Sequence, residues 1–223
     1  MLHIGVLAST KATDMQAVID AIISKKLNAV ISVVISNKQD AYALKRAKNN
    51  NIKAVFLDSK GKQREEYDKE ISEILEENNV DLILLIGYMR FLSPWFVNKY
   101  KNRIMNIHPS LLPKYAGGMD TNVHEEVLKN NEKVTGATLH FVDEGADTGP
   151  IIMQKKVKIE KDETAESLKN KVQKAEQDIQ NPKHPQERVV AIYSREYFLR
   201  VKEELDNNLD IESAKELAKP LIT

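Results

Sequence analysis

The chain has 223 residues, enough for one large domain with a sizeable core, and its 42% hydrophobic and 30% charged residues describe a globular protein rather than a disordered or membrane-embedded one. Its 33 basic and 33 acidic side chains cancel, so no bulk field draws it to nucleic acid or an anionic membrane, and any anion site must be local. With no cysteine, disulfides and thiol catalysis are excluded, and the lack of a secretory pattern or of apolar runs beyond strand length points to a cytoplasmic protein.

In chain order, Leu2–Ala8 is an apolar run of buried-strand length, followed by a polar loop and a helix with Met15, Val18, Ile19, Ile22 and Ile23 at helical spacing. A second strand over 29–35 leads to a helix through Tyr42, Leu44 and Ala47. A third over 52–57 precedes a charged helix carrying Tyr67, Ile71 and Ile74. The fourth strand, 81–86, is apolar on both faces, as expected at the centre of a parallel sheet covered on each side. This alternation predicts an α/β fold: a doubly wound, mostly parallel open sheet with helices on both faces and ligands at the carboxyl ends of the strands. Phe91, Leu92, Trp95 and Phe96 then read as the buried face of a short helix capped by Ser93. Residues 114–120 read as a loose loop able to close over a site. Residues 134–142 alternate as a strand with His140, Thr138 and Val142 on one face, 151–153 form a last strand, and Thr164 starts a helix through Leu168, Val172 and Glu176.

Two places carry chemistry. Ala8 to Asp14 is a strand-to-helix loop, and a helix amino terminus offers free amide hydrogens and a positive dipole end to a phosphate; it also reads as a plain helix start capped by Thr13 or Asp14. Further on, Asn106 and His108 sit two apart in a strand and so share a face, presenting an amide and an imidazole together. That pair suits a carbonyl under attack, because donors fixed in advance stabilise the growing oxyanion better than water that must reorganise. If the fold returns Asp147 to His108, the carboxylate orients the ring and favours its charged form. Taken singly, an Asn, a His and an Asp-Thr-Gly-Pro run also fit a cap, a satisfied core side chain and a turn. The five histidines form no spaced ligand set, so no metal is expected, and the first loop matches neither a dinucleotide nor an ATP phosphate signature.

The run Asn106-Ile-His108-Pro109-Ser-Leu-Leu-Pro-Lys-Tyr115, followed by His140-Phe-Val-Asp-Glu and Asp147-Thr-Gly-Pro150, resembles the phosphoribosylglycinamide formyltransferases over roughly residues 4–176. The resemblance implies that Asn106 and His108 polarise the formyl group of 10-formyltetrahydrofolate, and that Asp147 orients His108 and takes a proton through water as the amine of glycinamide ribonucleotide attacks. It implies folate contacts at Met89, Arg90 and Leu92, with His140 beside them. Acceptor contacts are implied at Ser9, Thr10, Lys11, Ala12 and Thr13, then at Arg64, Gly87, Pro109, His124 and Glu176. Relatives place glycines where this chain has Thr10 and Ala12, so a first loop that uses positive backbone angles would be strained, and Lys11 offers a compensating charge.

Formyl transfer to glycinamide ribonucleotide in purine synthesis is therefore the expected function, by a monomer or homodimer without nucleic-acid or membrane partners. Transfer to another amine (a sugar nucleotide or aminoacyl-tRNA), hydrolysis of formyltetrahydrofolate, and folate binding without turnover are the alternatives. Residues 1–180 are expected to form the catalytic domain. Residues 181–223, broken from it at Pro182 and Pro185, are expected to add a helix over 189–199 and a peripheral tail.

Overall fold

The structure, a computed structural model, describes residues 1–118 and 121–180. These form a seven-stranded sheet in the order β3-β2-β1-β4-β5-β6-β7. Its strands are β1 (Leu2–Ala8), β2 (Ala29–Ser36), β3 (Ala54–Phe56), β4 (Leu82–Leu85), β5 (Ile104–His108), β6 (Val134–Phe141) and β7 (Ile151–Lys158). The first five strands pair in parallel, while β5/β6 and β6/β7 are antiparallel. The connecting helices are α1 (Thr13–Ile23), α2 (Tyr42–Asn49), α3 (Arg64–Glu77), α4 (Pro94–Lys99), α5 (Thr121–Lys129) and α6 (Ala165–Gln180). The sheet is thus the mostly parallel, doubly wound one that strand-helix alternation predicts.

Strand period two divides the core. Leu82 and Leu84 of β4 point to one layer with Met15, Val18, Val123 and Val172, whereas Ile83 and Leu85 point to the other with Tyr67, Ile71, Phe96 and Tyr100. Because β1 pairs with β2 on one side and β4 on the other, the order in which strands are added across the sheet reverses at β1, and a crevice opens outside the carboxyl ends. The opposite layer is tied to that crevice by Asp68, which is buried and accepts from the Ser93 backbone (2.5 Å) where Ser93 caps α4.

Several sequence expectations shift. The third strand shrinks to three residues because it lies at the sheet edge, where pairing on one side alone supports it. Ile23 and Tyr42, placed on helix core stripes by spacing, are exposed, Ile23 at the frayed last turn of α1. Helix α4 begins at Pro94, so Phe91 is left outside it and is exposed rather than buried. Residues 134–141 are buried on both faces apart from Val134, because β6 is covered by neighbouring strands and by α6. The helix and tail expected over 181–223 lie outside the described residues. Among the described residues no helix is long and apolar enough to cross a membrane.

Candidate active site

A cleft of about 670 Å³ opens at the carboxyl ends of β1, β4 and β5. Asn106 and His108 project into it from one face of β5. The antiparallel register sets His140 of β6 directly across from Asn106. Pairing of β6 with β7 shifts at Leu139/His140, and the chain then returns through the loop that carries Asp147. That loop is closed by Thr148 and the Gly145 N–H on Asp143 Oδ1 (2.7 and 3.1 Å) and by Phe141 N–H on the Pro150 carbonyl (2.9 Å). A Cβ on Gly149 would lie 1.9 Å from the Phe141 carbonyl, so only glycine lets the loop fold this tightly.

The four side chains meet. His108 Nδ1 lies 3.1 Å from Asp147 Oδ2, and His108 Nε2 lies 2.9 Å from the Tyr115 carbonyl. Both ring nitrogens thus face oxygen acceptors, the Asp147 carboxylate and a backbone carbonyl. Asp147 Oδ1 accepts from Asn106 Nδ2 (3.3 Å) and faces His140 Nε2 (3.4 Å), while Oδ2 also accepts from the Gly117 N–H (2.9 Å). His140 Nδ1 points at the Phe141 carbonyl (2.8 Å) and therefore holds its hydrogen there, leaving Nε2 to accept from Asn106 at 3.2 Å. Burial acts to raise the Asp147 carboxyl. The hydrogen bond from His108, the charge on His108 and the Gly117 N–H outweigh it and hold the group well below the usual carboxylate range.

The exit from β5 is fixed by one buried hydroxyl. Thr138 Oγ1 donates to the Ser110 carbonyl (2.6 Å) and accepts from the Leu112 N–H (3.1 Å) and from Gln154 Nε2 (2.9 Å), which fills its hydrogen-bonding capacity. The loop over 114–118, expected to be loose, is docked on the site through the Tyr115 carbonyl and the Gly117 N–H. Residues 119 and 120 lie outside the described residues.

At the other end of the cleft stands the first loop. Ala12 takes up φ 44° as the residue before α1, with no side-chain cap, so the expected strain is present and neither Thr13 nor Asp14 serves as the cap. Thr10, Lys11, Ala12 and Thr13 line the cleft. Ser9 does not line it: its buried hydroxyl donates to Asn37 Oδ1 (2.7 Å) and accepts from the Met89 N–H (2.9 Å). That bond also engages the N–H of Met89, one of the expected folate contacts. Gly87 sits at φ 60°, and the space a Cβ would need is taken by Thr10 Oγ1 at 2.2 Å, so its freedom serves the packing of two loops as well as a ligand.

Met89, Arg90, Pro109, His124, His140 and Glu176 line the same cleft. Besides Ser9, two expected contacts do not. Arg64 is exposed at the start of α3, and Leu92 packs with the Tyr67 and Phe96 layer. Charge type suggested a phosphate ligand in the first case and hydrophobicity a ring contact in the second, yet neither property sets direction. Sequence reasoning passed over Phe91, Lys169, Gln173 and Asp14. Lys169, Gln173 and Glu176 recur at helical spacing, so one known member of that face implied the others. Asp14 was weighed only as a cap, but it is buried against α6, where it hydrogen-bonds with Glu176 and Gln177. Burial raises its carboxyl to about 6, against the lowering effect of those bonds and of the Arg46 charge.

Comparison with known proteins agrees with this geometry. The formyl transferase family model matches residues 2–181. The chain is 42% identical over 180 residues to the phosphoribosylglycinamide formyltransferase of Haemophilus influenzae, a match that covers 80% of this chain and 84% of that one. It is 41% identical over 177 residues to the trifunctional purine biosynthetic protein adenosine-3 of Chironomus tentans, covering 78% of this chain and 13% of that longer protein. Among solved structures, the phosphoribosylglycinamide formyltransferase of Bacillus halodurans superposes with a TM-score of 0.79 at 35% identity, covering 87% of this chain and 96% of that one. The family-model match over residues 2–181, with these identities and coverages, makes this chain a member of the formyl transferase family.

Proposed function

We infer that the protein transfers a formyl group from 10-formyltetrahydrofolate to the amine of glycinamide ribonucleotide, a step of purine synthesis, and does so in the cytoplasm. Family membership and the relatives' identities support the reaction class. The observation that carries the mechanism is the placement of Asp147 against both His108 (3.1 Å) and Asn106 (3.3 Å).

The cleft suits a flat, partly polar ring: Leu85, Ile86 and Val142 supply apolar wall, and Met89 and Phe91 stand exposed along its rim, where apolar side chains otherwise gain nothing. The folate brings the formyl group. As the amine nitrogen adds to the formyl carbon, charge gathers on the formyl oxygen, and Asn106 Nδ2 and His108 Nε2 supply the donors. For this, the formyl oxygen takes the place of the Tyr115 carbonyl at Nε2, and the Asn106 amide turns from Asp147 toward it. Asp147 keeps His108 charged and oriented, and accepts the amine proton through water. His108 returns a proton to the departing folate nitrogen as the carbon–nitrogen bond breaks, so the charges balance. The first loop and Glu176 hold the phosphate and ribose end of the acceptor, and His140 fixes the Asn106 amide.

Steady-state formyl transfer to glycinamide ribonucleotide tests this. Asn106→Ala and His108→Ala are each expected to lower kcat by about 10²–10³, the usual worth of one oxyanion donor. Wild-type turnover in either variant rejects the assignment.

A further inference from the structure

Asp14 is a buried acid that the reaction scheme above leaves without work. It is the second residue of α1, only 8% exposed, and Glu176, reaching across from α6, is only 9% exposed. Glu176 and Gln177 of α6 lie against the Asp14 carboxyl, so two acids share one buried place. Asp14 Oδ1 is buried without a hydrogen-bond partner, although the residue lines the cleft. A buried acceptor left idle costs about 1–3 kcal/mol, so its place beside the loop that receives the acceptor's phosphate calls for a ligand-side explanation.

We infer that the Asp14–Glu176 pair is a proton-linked recognition element, which takes up a proton when the phosphorylated amine binds and then presents Asp14 as a neutral hydrogen-bonding group. The inference rests on the reading that the phosphate end of the acceptor sits at the first loop. The physical argument is electrostatic. A phosphate dianion at the amino terminus of α1 stands close to a pair that carries one or two negative charges, and like charges at short range drive proton uptake. The other groups acting on Asp14 are Arg46 from α2 and Gln177 from α6, while Lys11 of the first loop, His124 of α5 and Lys169 of α6 line the same cleft. Arg46 adds positive charge but is anchored on Gln16 Oε1 (2.8 Å), and Gln177 is neutral, so neither relieves the repulsion by moving onto the phosphate. Burial already holds the Asp14 carboxyl at about 6, close enough to neutrality for a dianion to tip it. The sign follows: acceptor affinity falls as pH rises above about 6, with a slope that approaches tenfold per pH unit between the free and bound titrations.

Calorimetric titration of the full chain with glycinamide ribonucleotide at pH 7.5, in buffers of different ionisation enthalpy, counts the protons. Wild type is expected to take up about half a proton or more per acceptor bound. Asp14→Asn keeps the shape and a hydrogen-bonding group but cannot ionise, so uptake is expected to drop close to zero and the pH dependence of Kd above pH 6 to flatten. Glu176→Gln, on the other helix, should do the same, which guards against misfolding of one variant. Wild-type binding without proton uptake, or unchanged uptake in both variants, overturns the inference while leaving formyl transfer intact. Absence of formyl transfer in wild type instead sinks the functional reading, and ribose 5-phosphate then serves as the probe under the same criteria.

Discussion

Two aspartates in one cleft, Asp14 buried and Asp147 partly buried, have carboxyls shifted in opposite directions. Asp147 accepts from His108, Asn106 and the Gly117 N–H, and its carboxyl is held far down. Asp14 meets another acid, its Oδ1 has no hydrogen-bond partner, and burial drives it up to about 6. Residue type is the same and both are shielded from water, so the difference lies in what each neighbour offers. Desolvation acts on both, and only a surrounding set of donors reverses it. A cleft that has to stabilise negative charge at one end and admit a phosphate at the other uses both outcomes.

The largest test of this contrast is Asp147→Asn. It keeps the shape but loses the charge that orients and charges His108 and the base that takes the amine proton, so kcat for formyl transfer should fall by about 10³ or more. Next comes the scaffold behind the donor-rich end. Thr138→Val strands the Leu112 N–H, the Ser110 carbonyl and Gln154 at a fully buried site, and urea unfolding should show a loss of about 2–3 kcal/mol.

The two aspartates should also separate in their pH dependence of stability. Asp147, lowered on folding, contributes stability that is present above its unfolded value of 3.8 and is lost as pH falls through the folded value. Asp14, raised on folding, does the reverse: its ionisation opposes folding fully above about pH 6 and not at all below 3.8. Asp14→Asn should therefore stabilise the protein by about 1–3 kcal/mol at pH 7.5, and the gain should vanish by pH 4. Equal gains at both pH values in thermal melts would remove the contrast.

Smaller still is Ala12→Gly. Relief of a left-handed alanine is worth about 1 kcal/mol, and loss of a buried methyl group costs about 0.8 kcal/mol, so the net shift in urea unfolding should stay under about 1 kcal/mol. Arg64→Ala, exposed and outside the cleft, should leave KM for the acceptor within about twofold of wild type.

Much of this was legible in the linear chain because it is periodic or local. The β4 run, apolar at every position from Leu82 to Leu85, could only be a central strand, and its alternation assigns Leu84 to one layer and Leu85 to the other. The two-residue spacing of Asn106 and His108 already placed both on one face of β5. Helical spacing overreached at Ile23 and Phe91, where an element ends and its pattern stops meaning burial. Ser9 and Arg64 were assigned by residue type, and type does not tell whether a hydroxyl is already spent on Asn37 and Met89 or whether a guanidinium faces the cleft.

By itself the sequence determined the layers, the parallel sheet and the identity of the amide, imidazole and carboxylate, since strand and helix periods and side-chain chemistry are properties of neighbours along the chain. Only the tertiary structure decided that Asp147 meets His108, that the Tyr115 carbonyl covers Nε2, and that Asp14 faces Glu176. Those contacts join residues from 7 to 162 positions apart, and whether a carboxyl is charged depends on the atoms packed around it, which no local pattern encodes.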